Sequence, residues 1–320
     1  MTERRKVVVV VPFLDEEESL PVLCDRLQGV LEKEPEDFEM LLVDDGSRDG
    51  SAAWAAARAE RDPRVRLLSL SRNFGHQLAI TAGMDHADGD AVVIMDADLQ
   101  DPPEVVPELL RRWREGHEVV YAVRTSRHGE SWTKRLLAAM FYKTFRRMAN
   151  VDVPIDAGDF RLVDRQVIDA LKQVRELHRF VRGLTCWVGF SQSAVPYERA
   201  PRHAGATKYP VWKSTRLAWD AITSFSSTPL RWMTVIGLVV SLAGLLQAVR
   251  VIVDRLLYPE SMERGWASVI AIMLFLGGVQ LLSLGLIGQY VGRIFEESKK
   301  RPLYFVRKKL GRFPAGPTES

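Results

Sequence analysis

The stretch from Trp266 to Gly292 carries no charged residue, and it limits what the chain can fold into more than any other feature. A helix needs ~20 mainly apolar residues to cross a hydrocarbon layer, so this run is long enough to span one. A second uncharged run, Trp232 to Val249, precedes it and is followed closely by Arg250 and Asp254. If only one run crossed, the basic flanks would fall on opposite sides, so a hairpin of two spans is expected. Arg293, Lys299, Lys300, Arg301, Arg307, Lys308, Lys309 and Arg312 then form a cluster that belongs on the cytoplasmic side. The short, charge-balanced linker between the runs should face outward. At the other end, Met1 to Lys6 leads into too few apolar residues for a signal peptide before Pro12. The amino-terminal region and both termini are therefore expected in the cytoplasm. Cys24 and Cys186 lack metal or redox spacing and fit a reducing compartment. The net charge of +3 says nothing about nucleic acid, because the basic residues gather beside the apolar runs, and no nucleic-acid partner is expected.

Upstream, strand and helix patterns alternate. Lys6 to Val11, Phe38 to Val43, Val65 to Leu70, Ala91 to Met95 and Glu118 to Val123 read as strands. Leu20, Leu23, Leu27 and Leu31 recur at helical spacing, and Ser51 to Glu60, His76 to Ala87 and Pro103 to Glu115 complete the helices. Such alternation predicts an α/β fold with a mostly parallel sheet covered on both faces. The strand ends Pro12 to Asp15, Asp44 to Ser47 and Asp96 to Gln100 would share one rim, the edge where open parallel sheets bind ligands.

The strand Val92 to Met95 runs straight into Asp96 and Asp98. Around the turn that ends a strand, such a pair can aim both acids at one hard cation. An isolated Asp-x-Asp more often only solvates a turn; here two other polar strand ends accompany it. No Gly-x-Gly-x-x-Gly follows the first strand and no phosphate-binding Gly-Lys-Ser/Thr occurs, which removes support for dinucleotide redox chemistry and phosphate-loop hydrolysis. Asp44 and Asp45 can instead accept hydrogen bonds from a base or ribose, with Gly46 permitting the tight turn.

Four motifs in order, Val11 to Glu17, Val43 to Gly50, Arg72 to His76 and Asp96 to Pro103, resemble the inverting GT-A glycosyltransferases that load sugars onto polyprenyl phosphates, the group of dolichol-phosphate mannose synthases and bactoprenol glucosyltransferases. The resemblance covers nearly the whole chain. One departure is Asp15, where the family usually has Asn. The resemblance implies a GT-A, Rossmann-like cytoplasmic domain over residues 1–228, a two-helix transmembrane anchor over 229–295 and a basic cytoplasmic tail over 296–320. It places Pro12, Glu16, Asp44, Asp45, Arg72, Asn73 and Asp96 on the nucleotide sugar, and Asp98 with Gln100 on Mg²⁺ or Mn²⁺. The six histidines show no paired spacing that would favour zinc. The implied reaction moves one sugar to undecaprenyl or a related polyprenyl phosphate at a bacterial inner membrane. Glucose from UDP-glucose is the first expectation, with GDP-mannose, UDP-galactose and a UDP-aminoarabinose derivative as alternatives. Self-association is implied as well, with a tetramer in range.

A phosphate monoester has a second pKa of about 6, so the acceptor is already an anionic nucleophile and arginines to hold it matter more than a base. Arg124 and Arg127, past the fifth strand, are candidates, as are Arg202 and Lys208 in the segment 199–209. In the family, the first pair binds the lipid phosphate and the second segment closes over the donor. Asp159 is the remaining candidate acid, in a loop ahead of an amphipathic stretch, where a role at the helix start competes. With Asp96 and Asp98 it completes the expected catalytic set. Residues 131–149 and 210–225 read as amphipathic helices suited to a bilayer surface, although packing on the core explains the first equally well. A processive polysaccharide synthase would carry Gln-x-x-Arg-Trp, but Thr228 stands where the Gln belongs before Arg231-Trp232. A non-catalytic nucleotide-binding scaffold would not require the complete Asp96, Asp98, Gln100 edge.

Overall fold

The run Val7 to Val11 is fully buried on both of its faces, which makes it the interior of the fold. In the computed structural model, which describes residues 4–125, 157–199, 228–257 and 266–313, it forms β1 (Lys6–Phe13) at the centre of an eight-stranded sheet. Next come α1 (Ser19–Leu31), β2 (Asp37–Asp44), α2 (Ser51–Arg61), β3 (Val65–Leu70), α3 (His76–His86) and β4 (Ala91–Ile94). A short 3₁₀ turn leads into α4 (Val106–Arg114), followed by β5 (Val119–Arg124), β6 (Ala157–Asp164), α5 (Arg165–Gln173), α6 (Val181–Trp187) and β7 (Gln192–Tyr197). Two long helices, α7 (Thr228–Leu257) and α8 (Trp266–Ser298), precede β8 (Val306–Leu310). The expected helices at 131–149 and 210–225, and Arg127, Arg202 and Lys208, lie outside the described residues.

The sheet order is β7-β5-β6-β4-β1-β2-β3-β8. Strand β1 pairs in parallel with β2 on one side and β4 on the other, so the order reverses at β1 and opens a crevice at the carboxyl ends of β1 and β4. Antiparallel β6 separates β4 from β5, and antiparallel β8 closes the edge at β3. Two expectations need correction. Asp159 lies inside β6, not in a loop, and the acid that caps the following helix is Asp164, whose side chain accepts the Gln166 N–H at 2.9 Å. The stretch 296–320 is not merely a tail, since it supplies β8. Its Arg307, Lys308 and Lys309 are exposed on the outermost strand, where lysine discourages pairing with further chains.

By internal contacts the chain divides into residues 1–210 with 302–320, and residues 211–301. In the first unit, fully buried Arg66 on β3 meets Glu39 at 3.0 Å and Asp88 at 2.8 Å, and its guanidinium sits 5.3 Å from the centre of the Phe313 ring. In the second, α7 and α8 contain segments, Thr228–Gln247 and Phe275–Ser298, that are long and apolar enough to cross a membrane. Both expose large apolar side chains along their length, such as Leu238 and Leu281.

Candidate active site

The crevice predicted by the strand order is a cleft of about 390 Å³. Pro12, Phe13 and Leu14 at the end of β1 form one wall, and Asp96, Ala97 and Asp98 beyond β4 form the other. Glu16, Asp45, Asn73, Gly75 and His76 close it. The structure thus gathers six of the residues expected from sequence, Pro12, Glu16, Asp45, Asn73, Asp96 and Asp98, around one space. Asp44, Arg72 and Gln100 do not line it. Asp44 accepts the Ser47 N–H at 2.8 Å and shapes the turn, and Arg72 lies over the Phe74 ring at 4.0 Å from its centre. The Gln100 N–H donates to Asp98 Oδ1 at 3.1 Å, so this residue meets the acid through its backbone.

Local conformations aim these groups. Asp15 has φ of 56°, in the left-handed region that Asp and Asn tolerate best. Its Oδ1 accepts the Arg48 N–H at 2.7 Å, a bond that an Asn oxygen makes equally well, so the departure from the family pattern leaves this turn intact. Asp45 accepts the N–H groups of Phe74 at 2.8 Å and Gly75 at 3.0 Å and so ties the β3–α3 loop to the strand end. Burial pushes its carboxyl above the usual range, against the opposing pull of those two N–H donors. Gly46, with φ of 84°, permits this approach: a Cβ there would lie 2.8 Å from backbone atoms of Arg72 and Asn73. Gly46→Ala is therefore expected to cost about 2 kcal/mol and to weaken nucleotide binding, measured by thermal unfolding and calorimetry. In the acid loop, Leu99 is buried with φ of 60°, a strained backbone of the kind found where side chains must be aimed.

Behind the cleft stands a group that sequence reasoning did not assemble. His76 Nε2 lies 3.3 Å from Asp96 Oδ1 and 3.3 Å from Asp159 Oδ2. Arg182 of α6 grips Asp159 with two nitrogens, Nε to Oδ1 at 2.8 Å and Nη2 to Oδ2 at 3.0 Å. Gln77 adds its Nε2 at 3.3 Å from Asp159 Oδ2 and accepts the Val181 N–H at 2.9 Å. Arg124, expected on the acceptor side, lies beside this cluster: its Nη2 would be 3.3 Å from a Cβ on Gly158, and its Nε donates to the Tyr197 hydroxyl at 3.4 Å. That hydroxyl in turn donates to buried Asp101.

The electrostatics divide the acids by role. Burial favours the neutral form of Asp159, yet the hydrogen bonds from His76 and Arg182 outweigh it and hold the carboxyl well below the usual range. Such a carboxylate is a poor proton acceptor and a good fixed charge. Asp96 is pushed up to about 6 by burial and by the charges of Asp159, Asp101 and Asp98, with His76 opposing. His76 is raised: burial lowers it, but its hydrogen bond to Asp159 and the charge of Asp96 prevail. Among the described residues no three His, Cys, Asp or Glu side chains converge as a complete metal cage. Asp98 on the cleft wall and the buried Asp96 Oδ1, which has no well-aligned hydrogen bond, nonetheless fit a hard cation held by one or two carboxylates together with a substrate's phosphate oxygens.

The model of the Glycosyl transferase family 2 matches residues 8–172, and that of the GtrB C-terminal hairpin matches residues 228–294. The chain is 48% identical to the uncharacterized glycosyltransferase YkcC of Bacillus subtilis (strain 168), covering 97% of this chain and 96% of that protein. It is 41% identical to the bactoprenol glucosyl transferase of Shigella phage SfV, over 94% of this chain and 98% of the relative. A crystal structure of mannosyl-3-phosphoglycerate synthase from Rubrobacter xylanophilus superposes with a TM-score of 0.48 at 20% identity, covering 71% of this chain and 74% of that one. The mostly parallel sheet, with its ligand edge at β1 and β4, is a GT-A-like fold. With one family model spanning half the chain and relatives matched almost end to end, this chain belongs to glycosyl transferase family 2 and is a glycosyltransferase.

Proposed function

We propose that the enzyme transfers one sugar, with inversion, from a nucleoside-diphosphate sugar to the phosphate of a polyprenyl lipid, and that glucose from UDP-glucose is its donor. The observation that carries this reading is a cleft lined by Asp45, Asp96 and Asp98 at the sheet's ligand edge, in a chain that also presents two exposed apolar helices. Relatives named bactoprenol glucosyl transferases support the acceptor and the sugar.

Pro12, Glu16, Asp45 and Asn73 hold the nucleoside end of the donor, and Asp96 and Asp98 face its diphosphate. A bound Mg²⁺ or Mn²⁺, held by Asp98 beside Asp96, would neutralise the charge that develops on the departing diphosphate. A lipid phosphate oxygen forms the new bond to the sugar's anomeric carbon while the bond to the diphosphate breaks, and its electron pair leaves with the nucleotide. No proton need move, because the acceptor is already ionised. Asp159 then serves as a fixed charge, not as a base, and holds His76 and Arg182 beside the reacting centre. Arg124, together with Arg127, Arg202 and Lys208, neutralises the acceptor phosphate. Helices α7 and α8 anchor the protein in a bacterial inner membrane with the catalytic domain and both termini in the cytoplasm, where a lipid-borne phosphate meets the cleft.

The test uses full-length protein in lipid nanodiscs with undecaprenyl phosphate and labelled UDP-glucose, UDP-galactose, UDP-aminoarabinose derivative and GDP-mannose, with and without EDTA. One glucose per lipid in β linkage, abolished by EDTA, is expected. More than one sugar per lipid, or no lipid product from any donor, sinks the proposal.

A further inference from the structure

We infer that Phe305 is a positioning residue for the donor cleft, through which the chain returning after α8 holds the loop 71–76 in its nucleotide-binding form. The identity of the ligand rests on the proposed function; the contact itself does not. The loop between β3 and α3 supplies Asn73, Gly75 and His76 to the cleft. From the sheet side it is fixed by Asp45, as described above. From the opposite side it is fixed by the residues just ahead of β8. The Phe74 ring lies 6.4 Å from the Phe305 ring, centre to centre, in a tilted arrangement, while Arg72 sits over Phe74 at 4.0 Å. The Ser71 N–H donates to the Phe305 carbonyl oxygen at 2.8 Å. This bond continues the β3–β8 ladder past the register shift between Ser69 and Leu70, so pairing with the returning strand extends to where the loop begins.

The neighbouring residue anchors the same helix at its far end. The Tyr304 hydroxyl donates to Asp85 Oδ2 at 2.8 Å, and Asp85 is also held by Arg175 at 2.8 Å. Tyr304 thus grips the last turn of α3 and Phe305 the loop before its first turn. Phe305 itself is 55% exposed, so its ring adds little to the core, and what it covers is Phe74. Truncating such a side chain should leave global stability nearly unchanged. It should change the conformational freedom of the loop, and with it the affinity for donor.

The test measures binding of UDP and of GDP to the full-length protein in nanodiscs by calorimetry, alongside thermal unfolding and transfer kinetics. Phe305→Ala is expected to raise the nucleotide Kd and the donor KM about three- to tenfold, with the lipid KM and the unfolding temperature little changed, and Phe305→Tyr to restore the wild-type values. Phe305→Leu keeps apolar cover without the ring and stands in if the alanine variant misfolds; an intermediate Kd supports the inference. A Kd within twofold of wild type in the alanine variant, a leucine Kd indistinguishable from wild type where the alanine variant misfolds, or an equal rise in the lipid KM, overturns it while leaving the proposed function standing. Wild-type protein that binds neither nucleotide overturns both.

Discussion

Asp98→Asn keeps its fold and loses sugar transfer by about two to three orders of magnitude, the scale seen when a group that stabilises transition-state charge is removed. Asp96 shares a small volume with Asp98, Asp101 and Asp159, and burial together with those charges lifts its carboxyl to about 6. Gathering acids in this way is unfavourable for the empty protein and favourable once a cation and a diphosphate fill the cleft. Asparagine at 98 matches the acid in shape but removes one of the repelling charges, so the unfolding temperature should stay level or rise slightly as turnover falls. Kinetics and thermal unfolding on one preparation make the comparison. Unchanged turnover would remove Asp98 from the mechanism, and a large drop in stability would make it a structural residue.

Arg182→Gln is the second large effect. It leaves Asp159, 5% exposed, without the paired nitrogens that hold it as an anion. Breaking one side of a buried pair costs about 3–5 kcal/mol; because the Arg182 side chain is 30% exposed, a loss of about 2–3 kcal/mol is expected. The pH dependence gives the mechanism away. The folded pKa of Asp159 lies below its ordinary value of 3.8, so its stabilisation is complete above about pH 4 and is lost as pH falls below that. His76 is shifted upward from 6.5, so its share is complete below about pH 6.5 and is lost as pH rises through its elevated folded value. In wild type, stability from this pair is therefore greatest between those limits. In Arg182→Gln the acid-side loss should be smaller and end at higher pH, because the folded-state pKa of Asp159 moves up toward its ordinary value. Unfolding temperature measured from pH 3 to 9 tests this; parallel profiles for variant and wild type would show that Arg182 does not act through the charge of Asp159.

The parts of this molecule that sequence announces are those whose reasons are local. The valine run of β1 can only be a strand buried on both faces, and the acids at 44, 45, 96 and 98 follow strands closely enough that one sheet edge must collect them. What sequence hides depends on partners far along the chain. The segment Ala157–Asp164 holds two acids, Asp159 and Asp164, and Arg161 among apolar residues and looks like a loop, yet it is a buried strand because Asp159 finds Arg182 and Arg161 finds Thr185. His76 is visible within its motif, but its spacing speaks only to metal ligation; its partners are two carboxylates, Asp96 just beyond β4 and Asp159 within β6. The basic residues of 306–310 suit a membrane flank and a sheet edge equally, and only the ladder with β3 decides between them. A histidine directly after glycine, at the start of a helix that follows a strand, was the one signal that could have pointed to the missing half of the site.

The most direct measurement is a crystal structure of the protein with UDP and Mn²⁺, using the anomalous signal to locate the metal. The account predicts a peak about 2.2 Å from a carboxylate oxygen of Asp98, with the diphosphate on its far side and the base between Pro12 and Asp45. A metal and nucleotide bound together elsewhere, away from the ends of β1 and β4, would contradict it.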